Sequence, residues 1–203
     1  MAKLSIETVV RCVETAFLAG LLAWQAVRLW PAINQDPTNL VLLISDAVPV
    51  ALMVFGRRAQ SVTHKPIDWL TAYVGTIAPL FLAPGGQAVA DVRLCSILMV
   101  LGLLLNLYGK ASLARSFGLV AANRGVQRQG PYRIIRHPIY AGYVLVQLGF
   151  VLRNPTVPNL LLCAVGLGVQ IIRMKAEEEL LGQDPLYARY MTEVPYRLAP
   201  GVF

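Results

Sequence analysis

Long apolar segments recur through this chain, and few folds can accommodate them. Six can be read, over residues 8–30, 40–56, 67–83, 92–109, 138–152 and 158–174. A helix needs about 20 residues to cross the hydrocarbon core of a bilayer, within a working range of about 17–25. The first and fourth segments meet that length readily. The second and fifth are short, and the second also carries Asp46 and Pro49. None shows strand-like alternation, which argues against a β-barrel. The expected fold class is all-α, a polytopic integral membrane protein with about six transmembrane helices. The first segment reads as a retained helix rather than a cleaved leader. It is too long for a secretory apolar region, contains Arg11 and Glu14, and lacks an A-x-A site at its end.

Composition supports the membrane reading. Hydrophobic residues make up 56% of the chain and charged residues 14%, against about 25% charged in an ordinary soluble domain. The mean hydropathy is +0.57. A net charge of +7 could suggest nucleic acid, but the basic residues sit between apolar runs rather than along a polar face, so no nucleic-acid partner is expected. The same charge orients the chain instead. Connections 31–39 and 84–90 hold no Lys or Arg, and 153–157 holds only Arg153. The other side carries Lys3, Arg57, Arg58, Lys65, the 110–137 connection with its six basic residues, and Arg173, Lys175, Arg189 and Arg197. The positive-inside rule then places both termini and the 110–137 connection in the cytoplasm, in the cell inner membrane for a bacterial protein. Cys12, Cys95 and Cys163 lie in apolar segments without metal-ligand spacing, and His64 and His137 are the only histidines, so no metal is expected.

Polar and aromatic residues crowd into the second half. Residues 1–109 read as an N-terminal scaffold of membrane helices. Residues 110–203 hold the last two apolar helices, a polar tail and the chemistry. Gly130-Pro131 opens a turn, and a helix is expected to begin at Pro138 with His137 at its cap. Such a helix start offers free N–H groups to a carboxylate or phosphate, and Arg133 and Arg136 strengthen that field. Tyr140 and Tyr143 follow His137 at intervals of three, near one face. An interfacial belt of aromatic and basic residues would account for the same pattern. A second group, Arg173 with Glu177, Glu178 and Glu179, ends the last apolar helix, and Arg173 and Glu177 share a face. A solvated ion pair would explain it, as would a site for an ammonium or sulfonium ligand. Together the two groups suit a zwitterionic, amino-acid-like ligand.

The residues Ala111–Phe117, Arg124-Gly125-Val126, Gly130-Pro131-Tyr132, Arg136-His137-Pro138-Ile139-Tyr140, Gly142, Leu152-Arg153-Asn154-Pro155, Arg173, Glu177-Glu178, Leu181, Tyr187, Tyr190 and Val194-Pro195 resemble the isoprenylcysteine carboxyl methyltransferase family. The related phospholipid N-methyltransferases share the outline. The likeness covers about residues 110–200. It implies methyl transfer from S-adenosylmethionine to a carboxylate of a lipophilic, isoprenylcysteine-like acceptor drawn from the membrane, with residues 110–203 as the methyltransferase core. By resemblance, Tyr132, His137, Pro138, Ile139 and Tyr140 cradle the cofactor, and Arg124, Gly125, Val126 and Gln127 form a loop against it. Glu177 and Glu178 contact the cofactor, and Arg173 is the catalytic residue, placed at the acceptor carboxylate.

A carboxylate is already ionised at neutral pH, so its methylation requires positioning and exclusion of water rather than a base. An amine acceptor would have to lose a proton, for which His137 or a glutamate is available. The alternatives are a phospholipid amine or a small thiol as acceptor, a membrane reductase using a nicotinamide cofactor, and a non-catalytic transporter or scaffold. No G-x-G-x-x-G follows a strand, and no internal repeat with broken helices marks a transporter. The oligomeric state stays open.

Overall fold

The computed structural model describes the backbone of residues 6–55, 61–62, 65–113, 122–123 and 125–202, and the side chains of 15–48, 51, 65–113 and 125–202. Seven α-helices account for most of these residues: α1 (Ile6–Gln35), α2 (Leu40–Phe55), α3 (Pro66–Ile77), α4 (Val92–Leu113), α5 (Pro138–Arg153), α6 (Val157–Leu181) and α7 (Pro185–Glu193). The only pairing of strands among them is a two-residue antiparallel ladder in which Ser61 faces Asn123 and Val62 faces Ala122.

Three helices, rather than six, are long and apolar enough to cross a membrane among the described residues: Thr15–Gln35, Val92–Leu113 and Val157–Leu181. The reason is length. At about 1.5 Å per residue, a 16-residue helix such as α2 or α5 rises about 24 Å, short of a hydrocarbon core about 30 Å thick. The third apolar segment departs furthest from expectation, because it is not one helix. α3 stops at Ile77 and Ala78–Phe81 continues as a 3-10 turn. Pro79 has no N–H to extend the α-helical ladder. The carbonyls left open where the helix and its 3-10 turn end find a partner inside the protein, as buried backbone must in an apolar phase. Arg28 on α1 donates to Leu80 O at 2.7 Å and Leu82 O at 2.6 Å, while its guanidinium lies 4.7 Å from the Trp24 ring centroid.

α4 and α5 form the closest helix pair, and glycine makes it close. A Cβ on Gly142 would stand 2.6 Å from Gly102 O, and one on Gly149 2.7 Å from Cys95 O. Small residues let helix backbones approach where lipid supplies no hydrophobic drive for association. Asn106, between Gly102 and Gly109, is fully buried and donates from Nδ2 to Ile139 O at 3.0 Å. Leu29, Val41, Leu42, Met99, Leu103, Val146 and Phe150 pack as the main apolar cluster beside this seam. The exposed large residues on α4 and α6, among them Leu94, Leu101, Leu104, Leu161 and Val165, suit contact with lipid tails.

Candidate functional site

The site grows from the start of α5. Gly130, at φ +60°, opens a 3-10 turn over Gly130–Arg133, and a Cβ there would collide with Ser112 Oγ. Only glycine fits that turn without a shift. His137 then takes the cap position of α5 and Pro138 the first helical one, as the sequence leads one to expect. The His137 ring does not cap the helix. Its Nε2 lies 3.0 Å from Glu178 Oε1, and its Nδ1 lies 3.8 Å from Glu177 Oε2.

Glu178 is the electrostatic hub of this region. It is buried, and its Oε1 accepts from Arg136 Nε at 2.8 Å, while its Oε2 accepts from Arg197 Nη2 at 2.8 Å. The anion drawn to the basic start of α5 is thus the chain's own carboxylate, carried there by the end of α6. Arg136 goes further and donates through Nη1 to Val194 O at 2.8 Å and Pro195 O at 2.9 Å. Backbone bonds from Arg136 N to Tyr196 O and from His137 N to Arg197 O, both 2.9 Å, seat the C-terminal tail beside α5. Charge-assisted bonds of this kind are among the stronger ones in proteins.

Glu177 has a different environment. Its carboxylate is 26% exposed and accepts a hydrogen bond from the hydroxyl of buried Tyr140. Arg173 approaches Tyr140 from the same helix, with its Cζ 5.4 Å from the ring centroid, and it interacts electrostatically with Glu177 and Tyr143. α3 leaves room for it, since a Cβ on Gly75 would stand 3.2 Å from Arg173 Nη1. Glu179 points elsewhere, to an exposed pair with Lys65 at 2.5 Å. One turn of α6 therefore sends three consecutive carboxylates to a partly open site, a buried clasp and the solvent-facing surface.

Aromatic residues close the other side. Tyr132, Tyr187, Tyr190 and Val194 pack together with Val126 at their edge. Tyr190 donates to Tyr132 O at 2.7 Å, and Arg128 lies 5.8 Å from the Tyr190 ring centroid. Burial, and then the nearby Glu177 carboxylate, hold the phenols of Tyr132 and Tyr187 well above their ordinary pKa; burial pushes that of Tyr190 up to about 12. All three are therefore protonated donors at neutral pH.

His137, Tyr140, Arg173, Glu177 and Glu178 thus come together, with Tyr132 and Val126 alongside. Gln127 is bound up in local structure: its amide donates to Ser112 O, and its Oε1 accepts from Arg128 N at 3.1 Å. Gly125 adopts φ +96°. Pro138 and Ile139 are buried against α4, where Ile139 Cγ1 would lie 2.9 Å from a Cβ on Gly109. Arg124 lies outside the described residues. The sequence reading missed Arg197 as a partner of Glu178, for no local pattern links the tail to α6. Lys110 enters the sequence argument only through its charge, and Gln25 not at all. Asp46 it noted only as a flaw in an apolar helix, although an ionisable residue within such a segment is itself a functional signal.

These features define a class: a helical protein with spans suited to a bilayer and a charged, aromatic-edged centre where α4, α5 and α6 meet the C-terminal tail. A family model described as phospholipid methyltransferase matches residues 92–184, a little under half of the chain. The matched part runs from the first residue of α4 to the cap of α7 and takes in α4, α5 and α6. Over it the chain is similar to the group of membrane methyltransferases that contains both the phospholipid enzymes and those specific for isoprenylcysteine. No curated protein matches the chain.

Proposed function

We propose that this protein is a multi-pass membrane methyltransferase that uses S-adenosylmethionine to methylate a carboxylate on a lipophilic, isoprenylcysteine-like acceptor. The observation that carries the reading is the trio Arg173, Tyr140 and Glu177, which sets a cation for an anionic acceptor beside an anion for a cationic cofactor. The residues fit the cofactor chemically. Glu177 is a partly exposed carboxylate that takes a hydrogen bond from Tyr140 and lies near Tyr132 and Tyr187, and a carboxylate among tyrosines suits a weakly hydrated cation. When bound, S-adenosylmethionine supplies an electrophilic methyl group on a sulfonium.

The chain's own residues do the positioning. Glu177, oriented by the Tyr140 hydroxyl, balances the cofactor's positive charge. Tyr132, His137 and Tyr140 hold its other parts, Pro138 and Ile139 serve by seating the start of α5 against α4, and Gly125, Val126 and Gln127 form the adjoining loop. Glu178, clasped by Arg136, His137 and Arg197, fixes α6 against α5 and so sets where Glu177 stands. Arg173 holds the acceptor carboxylate with its planar fork, a geometry lysine lacks. The carboxylate is ionised at neutral pH and needs no base, so alignment and exclusion of water supply the rate. Both termini and the 110–137 connection face the cytoplasm in this proposal, which requires the shorter apolar segments to cross as well and bring the number of crossings to an even one.

A second reading keeps the site and makes the acceptor a phospholipid amine; the observation behind it is the description of the matching family. The test is to incubate the protein in lipid nanodiscs with methyl-labelled S-adenosylmethionine and a membrane lipid extract. An ester product releases its label as volatile methanol in alkali, whereas an N-methylated lipid keeps it. Label in neither would overturn both readings.

A further inference from the structure

We propose that Gly75 is a positioning residue for methyl transfer: the notch left by its missing side chain seats the Arg173 guanidinium, so that α3, which lies outside the segment matched by the family model, sets where the acceptor carboxylate is held. This deepens the methyltransferase reading and rests on its assignment of Arg173 to the acceptor. Gly75 stands in the last turn of α3, where alanine would ordinarily be the better helical residue. Its neighbours explain the glycine. A Cβ at position 75 would stand 3.0 Å from Val169 Cγ1, 3.2 Å from Arg173 Nη1 and 3.5 Å from Arg173 Cδ.

The tight glycines of the α4–α5 seam differ in kind. A Cβ on Gly102, Gly142 or Gly149 would meet the backbone of the facing helix. Those residues let two helices approach, whereas Gly75 makes room for side chains, Arg173 among them. α3 is also tied at both ends. Lys65, at its start, pairs with Glu179 of α6 at 2.5 Å. Beyond its last turn, Arg28 of α1 holds the carbonyls of Leu80 and Leu82. Between them Ala72, buried, packs with Leu18 of α1. The yielding partners at the Gly75 contact are therefore side-chain ends rather than the helix itself.

Arg173 is engaged on α5 as well. Its Cζ lies 5.4 Å from the Tyr140 ring centroid, and it hydrogen-bonds the Tyr140 hydroxyl, which itself donates to Glu177. A methyl group at position 75 would displace the guanidinium by a few tenths of an ångström without releasing it. A carboxylate held bidentately is sensitive to such a shift, because two parallel N–H···O bonds must be met at once.

Gly75→Ala tests this, with Gly168→Ala as the control and Arg173→Lys as a second background. The full chain in nanodiscs is titrated with S-farnesyl-3-mercaptopropionic acid and with its carboxamide, and the cofactor dissociation constant and melting temperature are measured on the same samples. The wild-type protein should prefer the acid. Gly75→Ala should cut that preference about fivefold or more, the worth of about one hydrogen bond. Binding of the carboxamide and of the cofactor should stay within a few-fold, and the melting temperature should hold or rise. Gly168→Ala should match the wild type. In the Arg173→Lys background there is no fork to displace, so Gly75→Ala should leave the remaining preference unchanged. A preference that survives Gly75→Ala, a parallel fall in stability and in binding of both probes, or an equal loss in the Arg173→Lys background overturns the proposal while Arg173 keeps its acceptor role. No preference for the acid in the wild type would sink that role, and the proposal with it.

Discussion

Neighbouring side chains on α6 face such different surroundings that they separate stability from ligand binding. Glu178→Gln leaves Arg136 and Arg197 without their buried counter-charge. Removing one member of a buried pair typically costs about 3–5 kcal/mol, so this variant should unfold at markedly lower temperature in detergent. Glu177→Gln should keep its melting temperature but bind S-adenosylmethionine more than about tenfold more weakly, the usual loss of a charged hydrogen-bonding partner. Glu179→Gln, which breaks only an exposed pair with Lys65, should change neither. Thermal unfolding and calorimetric titration on the same three variants check the set. Arg173→Lys tests the acceptor role. Turnover should fall in kcat/KM for the acceptor, while the cofactor dissociation constant stays within a few-fold. Loss of cofactor binding and turnover together would assign Arg173 to the cofactor.

At the scale of elements, the α4–α5 seam decides where the site's walls stand. An alanine inside a helix is ordinarily better than a glycine by about 0.5–1 kcal/mol. At Gly142 the added methyl would lie 2.6 Å from Gly102 O and 2.7 Å from the Asn106 backbone, so the sign should reverse. Gly142→Ala is expected to destabilise by about 1–3 kcal/mol, the usual range for overpacking. Gly168→Ala on α6, where nothing lies within 4 Å, should be neutral or mildly stabilising. Comparative unfolding of the two variants in one detergent checks this. Because the seam also fixes Asn106 on Ile139 O, Gly142→Ala should lower turnover more than its stability loss alone would.

For the whole molecule, the distribution of Lys and Arg sets the expected orientation. Single cysteines introduced at Gln35 and Gln87, in a chain whose native cysteines are replaced, should react with a membrane-impermeant reagent from outside the cell. A cysteine at Val202 should react only from the cytoplasmic side. Labelling of positions 35 and 87 from the cytoplasm alone would reverse the topology and put the charged end of α6 on the side away from the cofactor. The clasp of the tail onto α5 and α6 is a whole-molecule property too, since it joins residues from 136 to 197.

The sequence by itself determined the helical class, the turn at Gly130, the start of α5 at Pro138 and the shared face of Arg173 and Glu177. Each follows from local rules of apolar length, proline and glycine stereochemistry and helical periodicity. By the measure of length it predicts three spans too many: the second and fifth segments form short helices, and apolar composition does not reveal that the third breaks near Pro79 or that Arg28 donates to the carbonyls there. Only the tertiary structure decided which of three adjacent carboxylates is clasped, which edges the site and which faces solvent. That choice depends on partners distant in sequence: Arg136 and Arg197 on Glu178, Tyr140 on Glu177 and Lys65 on Glu179. It likewise brought Asp46 and Gln25 of the N-terminal half toward Lys110 of α4. Polar groups in an apolar phase must find one another across helices, and no local pattern records which ones meet.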